Sequence, residues 1–402
     1  MSETPLFFRL ARPTYGRWLI NRFRIKTEGY DLVPEKGPYL LLANHTHTLD
    51  PFIISATFKQ NIRWVAGAHL FKYKILRKLL QSWVKSISKQ QGRSDLETIK
   101  SISKGFKEGA IVGIFPEGTR TWDGEPMGFD ISTAKLVRLF KVPVVILNLE
   151  GSYALRPRWA KYRRKGSMTI RVKRVITSQE LATMKLKELE TALNAALAFS
   201  FVEWQEKAHV PFIGKKKTEG LEKLLYLCPA CHQKSTIKAE KSRIFCTHCS
   251  LSFQMDDYDN LVGETPNGGK VDSLPAWNRW QKAYLRVSKE RQFPADRGVL
   301  LQKGFRRRFL LLSKRFTLKL EPTRMVVHFP SRLKSGFLKD LDALIFDFAE
   351  IQSMIITVKS TLEFYYRDQL WRLRVEEGRS MLKYLELYKV YLEQPKEVIE
   401  EV

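Results

Sequence analysis

Cysteine is scarce in this sequence, four residues in 402, which excludes a disulfide-stapled scaffold. Long apolar stretches are missing as well. No uncharged apolar run approaches the ~18 residues of a membrane-crossing helix. Arg9, Arg12 and Arg17 interrupt the N-terminus where a signal peptide would carry its apolar core. Acidic residues are also in short supply, 42 against 69 Lys and Arg, for a formal net charge of +27. A chain this basic is suited to polyanions: nucleic acid, an anionic membrane face or an acidic carrier protein. What the sequence does have is apolar material, 44% hydrophobic residues with 28% charged, which excludes wholesale disorder. At about 100–200 residues per domain, two or three domains are expected.

The charge is uneven: 38 basic and 18 acidic residues up to Lys217, a net of +20, against 31 and 24 from Thr218 onward, a net of +7. Residues 1–28 mix aromatics with arginines, as in Phe7-Phe8-Arg9 and Trp18 to Arg24. Pro13 and Gly16 argue against one unbroken helix. Such a segment suits a membrane interface or a helix packed on the domain behind it. Apolar runs at Tyr39–Ala43, Ile111–Phe115 and Val142–Leu147 read as buried strands, and Asp95–Lys107 and Ser132–Phe140 have helical periodicity. Residues 29–210 are therefore expected to form an α/β domain with a buried sheet, closed by one helix from Ser178 to Glu206. A cysteine-containing unit at 221–258 follows, then a polar connector through Asp256–Asn260 and Gly263–Gly269. Residues 298–393 alternate in strand fashion at 317–320, 325–329, 353–358, 361–366 and 370–375, before a helix at Ser380–Leu392. This order resembles a β-rich PH-like barrel with a C-terminal helix.

Asn44-His45-Thr46-His47-Thr48-Leu49-Asp50 follows the first strand. Imidazole can take a proton from an alcohol near neutral pH, and a neighbouring carboxylate fixes its tautomer and stabilises the imidazolium. That is two-thirds of a Ser-His-Asp arrangement, and no serine is needed if the substrate hydroxyl attacks. Asn44 suits a helix N-cap. On an ideal helix His45 and Asp50 diverge by about 140°, whereas His47 and Asp50 share a face. Spacing leaves the choice of base open. The strand Ile111–Phe115 ends in Pro116-Glu117-Gly118-Thr119-Arg120, where Gly permits close backbone approach, Glu can accept from a hydroxyl and Arg matches phosphate with a planar fork.

Together, Asn44-His45-x4-Asp50, Phe115-Pro116-Glu117-Gly118-Thr119-Arg120 and Val142-Pro143-Val144-Val145 resemble the lysophospholipid (PlsC-type) acyltransferase family, over about Gly29 to Leu149. That family includes 1-acylglycerol-3-phosphate and glycerol-3-phosphate acyltransferases. The resemblance implies that His45 is the base, that Asp50 orients it, and that Glu117, Gly118, Thr119 and Arg120 bind the acceptor's glycerol phosphate. Its middle motif, an Arg after a short apolar strand, has an approximate counterpart in Trp83–Arg93, with Lys89 or Arg93 as the cation. Two positions depart from the pattern. No second Pro follows Val145, and Phe129-Asp130-Ile131-Ser132 stands where Phe-Lys-x-Gly is usual, replacing a cation near the phosphate end. The implied activity moves a fatty acyl group from acyl-CoA or acyl-ACP to a lysophospholipid, foremost 1-acyl-sn-glycerol-3-phosphate, in phospholipid biosynthesis and without a catalytic cofactor. Backbone N–H groups near Asn44 or Gly118 are candidates for holding the thioester oxyanion. Glycerol-3-phosphate or another lysolipid is the alternative acceptor; a non-catalytic lipid- or RNA-binding scaffold is the alternative class.

Cys228-x2-Cys231 and Cys246-x2-Cys249, fourteen residues apart, use every cysteine in the chain. Two knuckle-spaced pairs predict a tetrahedral Zn2+ site rather than a redox dithiol, and four protein ligands leave no open position, so the zinc ribbon is structural. His232 and His248 are read as surface neighbours. Arg306-Arg307-Arg308 and Lys314-Arg315 suit phosphates. With no RNA-binding aromatic string present, anionic membrane lipid is the expected partner and nucleic acid is not. The expected location is peripheral, on the cytoplasmic face of a membrane.

Overall fold

The structure, a computed structural model, describes residues 6–67, 78, 85–89, 96–129, 131–266, 271–305, 308–330 and 343–394. Arg93, Asp130, Arg306 and Arg307 lie outside the described residues, as does most of Trp83–Arg93. The chain divides into two compact units: residues 1–158, 162–214 and 257–259 form the first, and residues 159–161, 215–256 and 260–402 the second.

In the first unit, α1 (Leu6–Ala11) and α2 (Arg17–Phe23) are joined by a π-turn, Arg12–Gly16, which contains Pro13. A wider turn tolerates the missing N–H and the ring of proline. Leu19 and Phe23 are buried, while Leu10, Tyr15 and Trp18 are exposed. Among the described residues, the sheet contains β1 (Ile25–Glu28), β2 (Tyr39–Ala43), β3 (Ile62–Gly67), β4 (Ile87–Lys89), β5 (Ile111–Ile114), β6 (Val144–Glu150) and β7 (Met168–Ile176). Their order is β1-β7-β6-β2-β5-β3-β4. Neighbours are parallel except for the antiparallel pair β6/β7.

All five residues of β2 are buried, because both faces of a parallel sheet are covered. Alternate side chains go to opposite faces. Leu41 and Ala43 join Ile53, Ile54 and Trp64 on one side, and Leu40 and Leu42 join Ile102, Val137 and Leu193 on the other. Gly113 in β5 is required by close packing: a Cβ there would lie 2.5 Å from the Trp64 ring. Leu42 pairs with Ile114, so the loops that follow β2 and β5 emerge at the same end of the sheet.

Helices α3 (Asp50–Thr57), α4 (Leu96–Lys107), α5 (Ser132–Phe140) and α6 (Ser152–Leu155) follow their strands. The single helix expected over Ser178–Glu206 is instead three: α7 (Ser178–Thr183), α8 (Leu186–Leu197) and α9 (Phe201–Ala208). Polar caps start each one afresh. Thr177 and Glu180 form a capping box, the Glu188 carboxylate accepts the Lys185 N–H at 2.9 Å, and Ser200 Oγ accepts the Glu203 N–H at 3.2 Å.

In the second unit, β8 (Ile237–Glu240), β9 (Arg243–Cys246), β10 (Ser252–Met255) and β11 (Leu261–Glu264) form an antiparallel sheet in the order β11-β10-β9-β8. Gly263 thus belongs to a strand, not to a connector. After α10 (Leu274–Val287) come β12 (Asp296–Phe305), β13 (Arg308–Ser313), β14 (Phe316–Leu320), β15 (Arg324–His328), β16 (Ala343–Asp347), β17 (Ile351–Thr357), β18 (Thr361–Tyr366) and β19 (Gln369–Val375). They are antiparallel in the order β16-β15-β14-β12-β19-β18-β17, with β13 paired to β12. The helix α11 (Leu382–Glu393) is fastened by the Tyr388 hydroxyl, which donates to the Ile351 carbonyl at 2.8 Å. Among the described residues, no helix is long and apolar enough to cross a membrane.

Candidate active site

The chain leaves β2 through Asn44, whose Oδ1 accepts the Leu149 N–H at 2.8 Å and ties the strand end to β6. Asn44 therefore does not cap a helix. The following turn brings His45 and Asp50 together before α3 begins, which resolves the angular mismatch of an ideal helix. His45 Nδ1 lies 3.0 Å from Asp50 Oδ2. The Thr46 and His47 N–H groups donate to the same oxygen at 2.8 and 2.7 Å, and Ser152 Oγ donates to Asp50 Oδ1 at 2.9 Å. The Asp50 side chain is 0% exposed and that of His45 20%.

Burial pushes the Asp50 carboxyl upward, but its hydrogen bonds and the neighbouring histidines outweigh this and hold it below the usual range. It is a fixed anion at neutral pH. His45 is lowered, first by burial, with Asp50 opposing and Arg120 and Arg158 adding to the effect. The neutral imidazole donates through Nδ1 to the Asp50 carboxylate, leaving Nε2 without a proton.

His47 differs in every respect. Its Nδ1 accepts the Leu49 N–H at 3.0 Å, its ring packs edge-on against Phe23 at 5.6 Å, and it is 1% exposed. Burial pulls it down to about 4. It is a structural residue of the turn.

The His45 ring is stacked on Phe115 with centroids 4.2 Å apart, and Phe115 on Trp64 at 4.8 Å. Trp64 Nε1 donates to Ser55 Oγ at 3.0 Å. The two motif loops are also stitched together. The Thr121 N–H donates to the His45 carbonyl at 3.0 Å, and the His45 N–H to Glu117 Oε1 at 3.3 Å. Burial raises the Glu117 carboxyl to about 8, the His45 amide opposing and the Asp50 charge adding. Gly118 takes the left-handed φ of 67° that a side chain would disfavour, and its N–H donates to the Phe115 carbonyl at 3.1 Å. The amides of His45 and Gly118 are thus engaged, which leaves neither open for a thioester oxyanion.

The Arg120 side chain is half-buried and makes no hydrogen bond or ion pair among the described residues; burial lowers it, with Asp50 opposing and Arg156 adding. Beside it stands Arg158, which sequence reading missed. Its guanidinium donates to Thr119 Oγ1 at 2.6 Å and the Arg120 carbonyl at 2.9 Å, and lies over the Trp122 ring at 4.3 Å. Burial, then Arg120, depresses it to about 9. The signal for it was the basic run from Arg156 to Lys165. Lys89 is not brought into this group: it is exposed at the end of β4, the outermost strand. Glu117 also lines a cleft of ≈ 580 Å³ whose walls include Pro126, Phe129, Thr191, Leu197 and Ala198.

In the second unit, Cys228, Cys231, Cys246 and Cys249 have their sulfurs within 4.8 Å of one another, with 3.7 Å between Cys228 and Cys249 and 3.8 Å between Cys231 and Cys246. Four thiolates around one ion at about 2.3 Å would lie about 3.8 Å apart in a tetrahedron. The cluster fits that spacing.

A neutral histidine on a buried carboxylate, beside two arginines, thus stands at one end of the mainly parallel sheet of an α/β fold. Residues 24–149 match the family model described as Acyltransferase. The 1-acyl-sn-glycerol-3-phosphate acyltransferase of Saccharomyces cerevisiae is 27% identical over 168 residues, 38% of this chain and 52% of the relative. Proteins of the same name from Borreliella burgdorferi and Bacillus subtilis are 28% and 23% identical, covering 30% and 46% of this chain and 48% and 89% of those relatives. The chain thus spans about half the length of the yeast and Borreliella relatives. The crystal structure of the 1-acyl-sn-glycerophosphate (LPA) acyltransferase PlsC from Thermotoga maritima aligns with 50% of this chain and 82% of its own, at 17% identity and a TM-score of 0.40. Residues 24–149 are thus similar to the Acyltransferase family, and the relatives matched here are 1-acyl-sn-glycerol-3-phosphate acyltransferases.

Proposed function

We propose that this protein transfers a fatty acyl group from an acyl thioester, acyl-CoA or acyl-ACP, to the free hydroxyl of a lysophospholipid, foremost 1-acyl-sn-glycerol-3-phosphate. The observation that carries this reading is the 3.0 Å contact between His45 and a fully buried Asp50, beside Arg120 and Arg158. His45 Nε2 takes the acceptor hydroxyl's proton as its oxygen bonds to the thioester carbonyl carbon. The tetrahedral intermediate then breaks its C–S bond, and the imidazolium returns the proton to the departing thiolate. Arg120 and Arg158 hold the acceptor phosphate, and protonated Glu117 offers its hydrogen to the glycerol backbone. The cleft beside Glu117 suits an acyl tail, each buried CH2 contributing ~0.8 kcal/mol.

The four cysteines hold a structural Zn2+ in a zinc-ribbon unit over about residues 221–258, and the strands of residues 298–393 with α11 make a PH-like module. Exposed Leu10, Tyr15 and Trp18, with neighbouring arginines, support a membrane-interface role for residues 1–28. The protein then works as a peripheral enzyme on the cytoplasmic face of an anionic membrane. His45→Ala, assayed with a panel of lysolipid acceptors and both donor types, is expected to lose about 10²–10⁴-fold in turnover with membrane binding retained. Unchanged transfer removes His45 from the mechanism. Failure of the wild type to acylate any acceptor favours the non-catalytic scaffold.

A further inference from the structure

The second unit contains a cavity of ≈ 460 Å³ that the acyl-transfer reading leaves unused, within the usual size of a small-ligand site. It arises from irregularities in the sheet. β12 pairs with β19 through Gly298↔Val375 and Leu300↔Arg374, leaving Val299 as the extra residue of a bulge. A bulge bends its strand and re-aims side chains. β17 and β18 meet at Thr357↔Thr361. Between them Lys359 and Ser360 both adopt left-handed backbone, with φ of 58° and 51°. Side-chain-bearing residues adopt that region only at some cost, yet this turn uses a lysine and a serine. Both line the cavity, as do Val299 and Arg374.

The charges there do not balance. Of the two lining carboxylates, Glu377 lies 3.5 Å from Lys161 Nζ and Glu376 lies 3.5 Å from Arg379 Nε. Each already has a cation. Lys223 also lines the cavity, its ammonium donating to the Trp159 carbonyl at 3.3 Å. The side chains of Lys359 and Arg374, both on the cavity wall, make no hydrogen bond or ion pair among the described residues.

We infer that this cavity binds a phosphomonoester group, with Arg374 supplying the planar fork and Lys359 the point charge. A dianion answers two neighbouring cations better than a single carboxylate does, and charge-assisted bonds to phosphate oxygens are the strong ones. A free phosphate compound and the headgroup of a phosphatidic-acid-type lipid present the same group.

The test uses the full chain carrying Arg120→Ala and Arg158→Ala, so that the first unit's arginines do not contribute. Inorganic phosphate is titrated calorimetrically before and after adding Lys359→Asn and Arg374→Gln. Asn tolerates the left-handed turn, and both positions are on the cavity wall rather than in the core. Affinity is expected to fall about tenfold or more. Arg374→Lys, which keeps the charge and loses the fork, should weaken binding severalfold and carries the test if the double change lowers the melting temperature. Co-sedimentation with phosphatidylcholine vesicles, with and without phosphatidic acid, separates the sources. Loss of the phosphatidic-acid-dependent fraction assigns a lipid headgroup, and an unchanged fraction with lost phosphate binding assigns a soluble compound. Phosphate affinity and vesicle retention both unchanged overturn the site, as does succinate binding as tightly as phosphate. Lys359→Asn with Arg374→Gln in the otherwise wild-type chain should leave acyl transfer intact, so failure here and failure of the acyltransferase reading are separate results.

Discussion

Replacing Asp50 by Asn separates two jobs that the carboxylate does for His45. Oδ2 accepts from the Thr46 and His47 amides and from His45 Nδ1, whereas Oδ1 accepts, among the described residues, only the Ser152 hydroxyl. An asparagine NH2 in the Oδ2 place would face two backbone N–H groups. The side-chain carbonyl therefore takes that place, and the NH2 turns to Ser152, whose hydroxyl rotates to accept. His45 keeps its proton on Nδ1. What disappears is the negative charge opposite the imidazolium. Hydrogen bonds to charged groups contribute about 1.5–3 kcal/mol and neutral ones about 0.5–1.5, so the loss is about 1–2 kcal/mol. That corresponds to about a five- to thirtyfold lower kcat. The pH profile gives an independent reading. Asp50 raises the proton affinity of His45 against burial, so its neutralisation should move the acid limb of kcat/KM to lower pH. A drop of about 10⁴ with an unmoved acid limb, the behaviour of a flipped tautomer, would refute this orientation of the asparagine amide. Asp50→Ala should be worse in a different way. It leaves two buried amides without an acceptor at about 1–3 kcal/mol each, visible as a lower Tm.

Glu117, raised to about 8, is protonated below that pH and gains a negative charge above it, beside Asp50 and the acceptor phosphate. The kcat/KM of the wild type should therefore fall as pH rises through about 8. Glu117→Gln should keep activity at neutral pH and lose that basic limb; an unaltered limb assigns it to another group. Arg158→Ala should raise the acceptor KM by about ten- to a hundredfold, the worth of one charge-assisted contact. Arg158→Lys should recover little, because an ammonium cannot both stack on Trp122 and reach Thr119 and the Arg120 carbonyl. A Lys variant as good as wild type would reduce Arg158 to a point charge. Metal analysis of purified protein should give about one zinc per chain, and strong chelation should unfold the cysteine unit; absence of metal refutes the tetrahedral site.

Much of the first domain was legible because β2 is buried on both faces, so its apolar run needed no alternation to be recognised. The helix expected over Ser178–Glu206 was not, since Glu188 and Ser200 restart it by side-chain capping at positions where helical periodicity simply continues. β12 and β13 went unread because Gly298, Gly304 and the arginines near 306–308 interrupt the strand signal. At the candidate site, the sequence offered two histidines near one aspartate. Only the turn separates a partly exposed ring from a sealed one, and burial is a property of the fold rather than of spacing. Arg158 was hidden for a similar reason. It comes from a segment 38 residues beyond Arg120 and is aimed by an aromatic ring, a cue invisible in one dimension.

The pile of rings at the end of β5 bears on how this imidazole could carry charge. With Phe115 on its face and Trp64 locked behind, His45 is braced on one side, and the electron-rich surface beneath it favours an added proton electrostatically. In the proposed transfer, the acceptor then comes to the ring rather than the ring to the acceptor. Trimming Phe115 to Leu would loosen catalysis without touching a single polar atom.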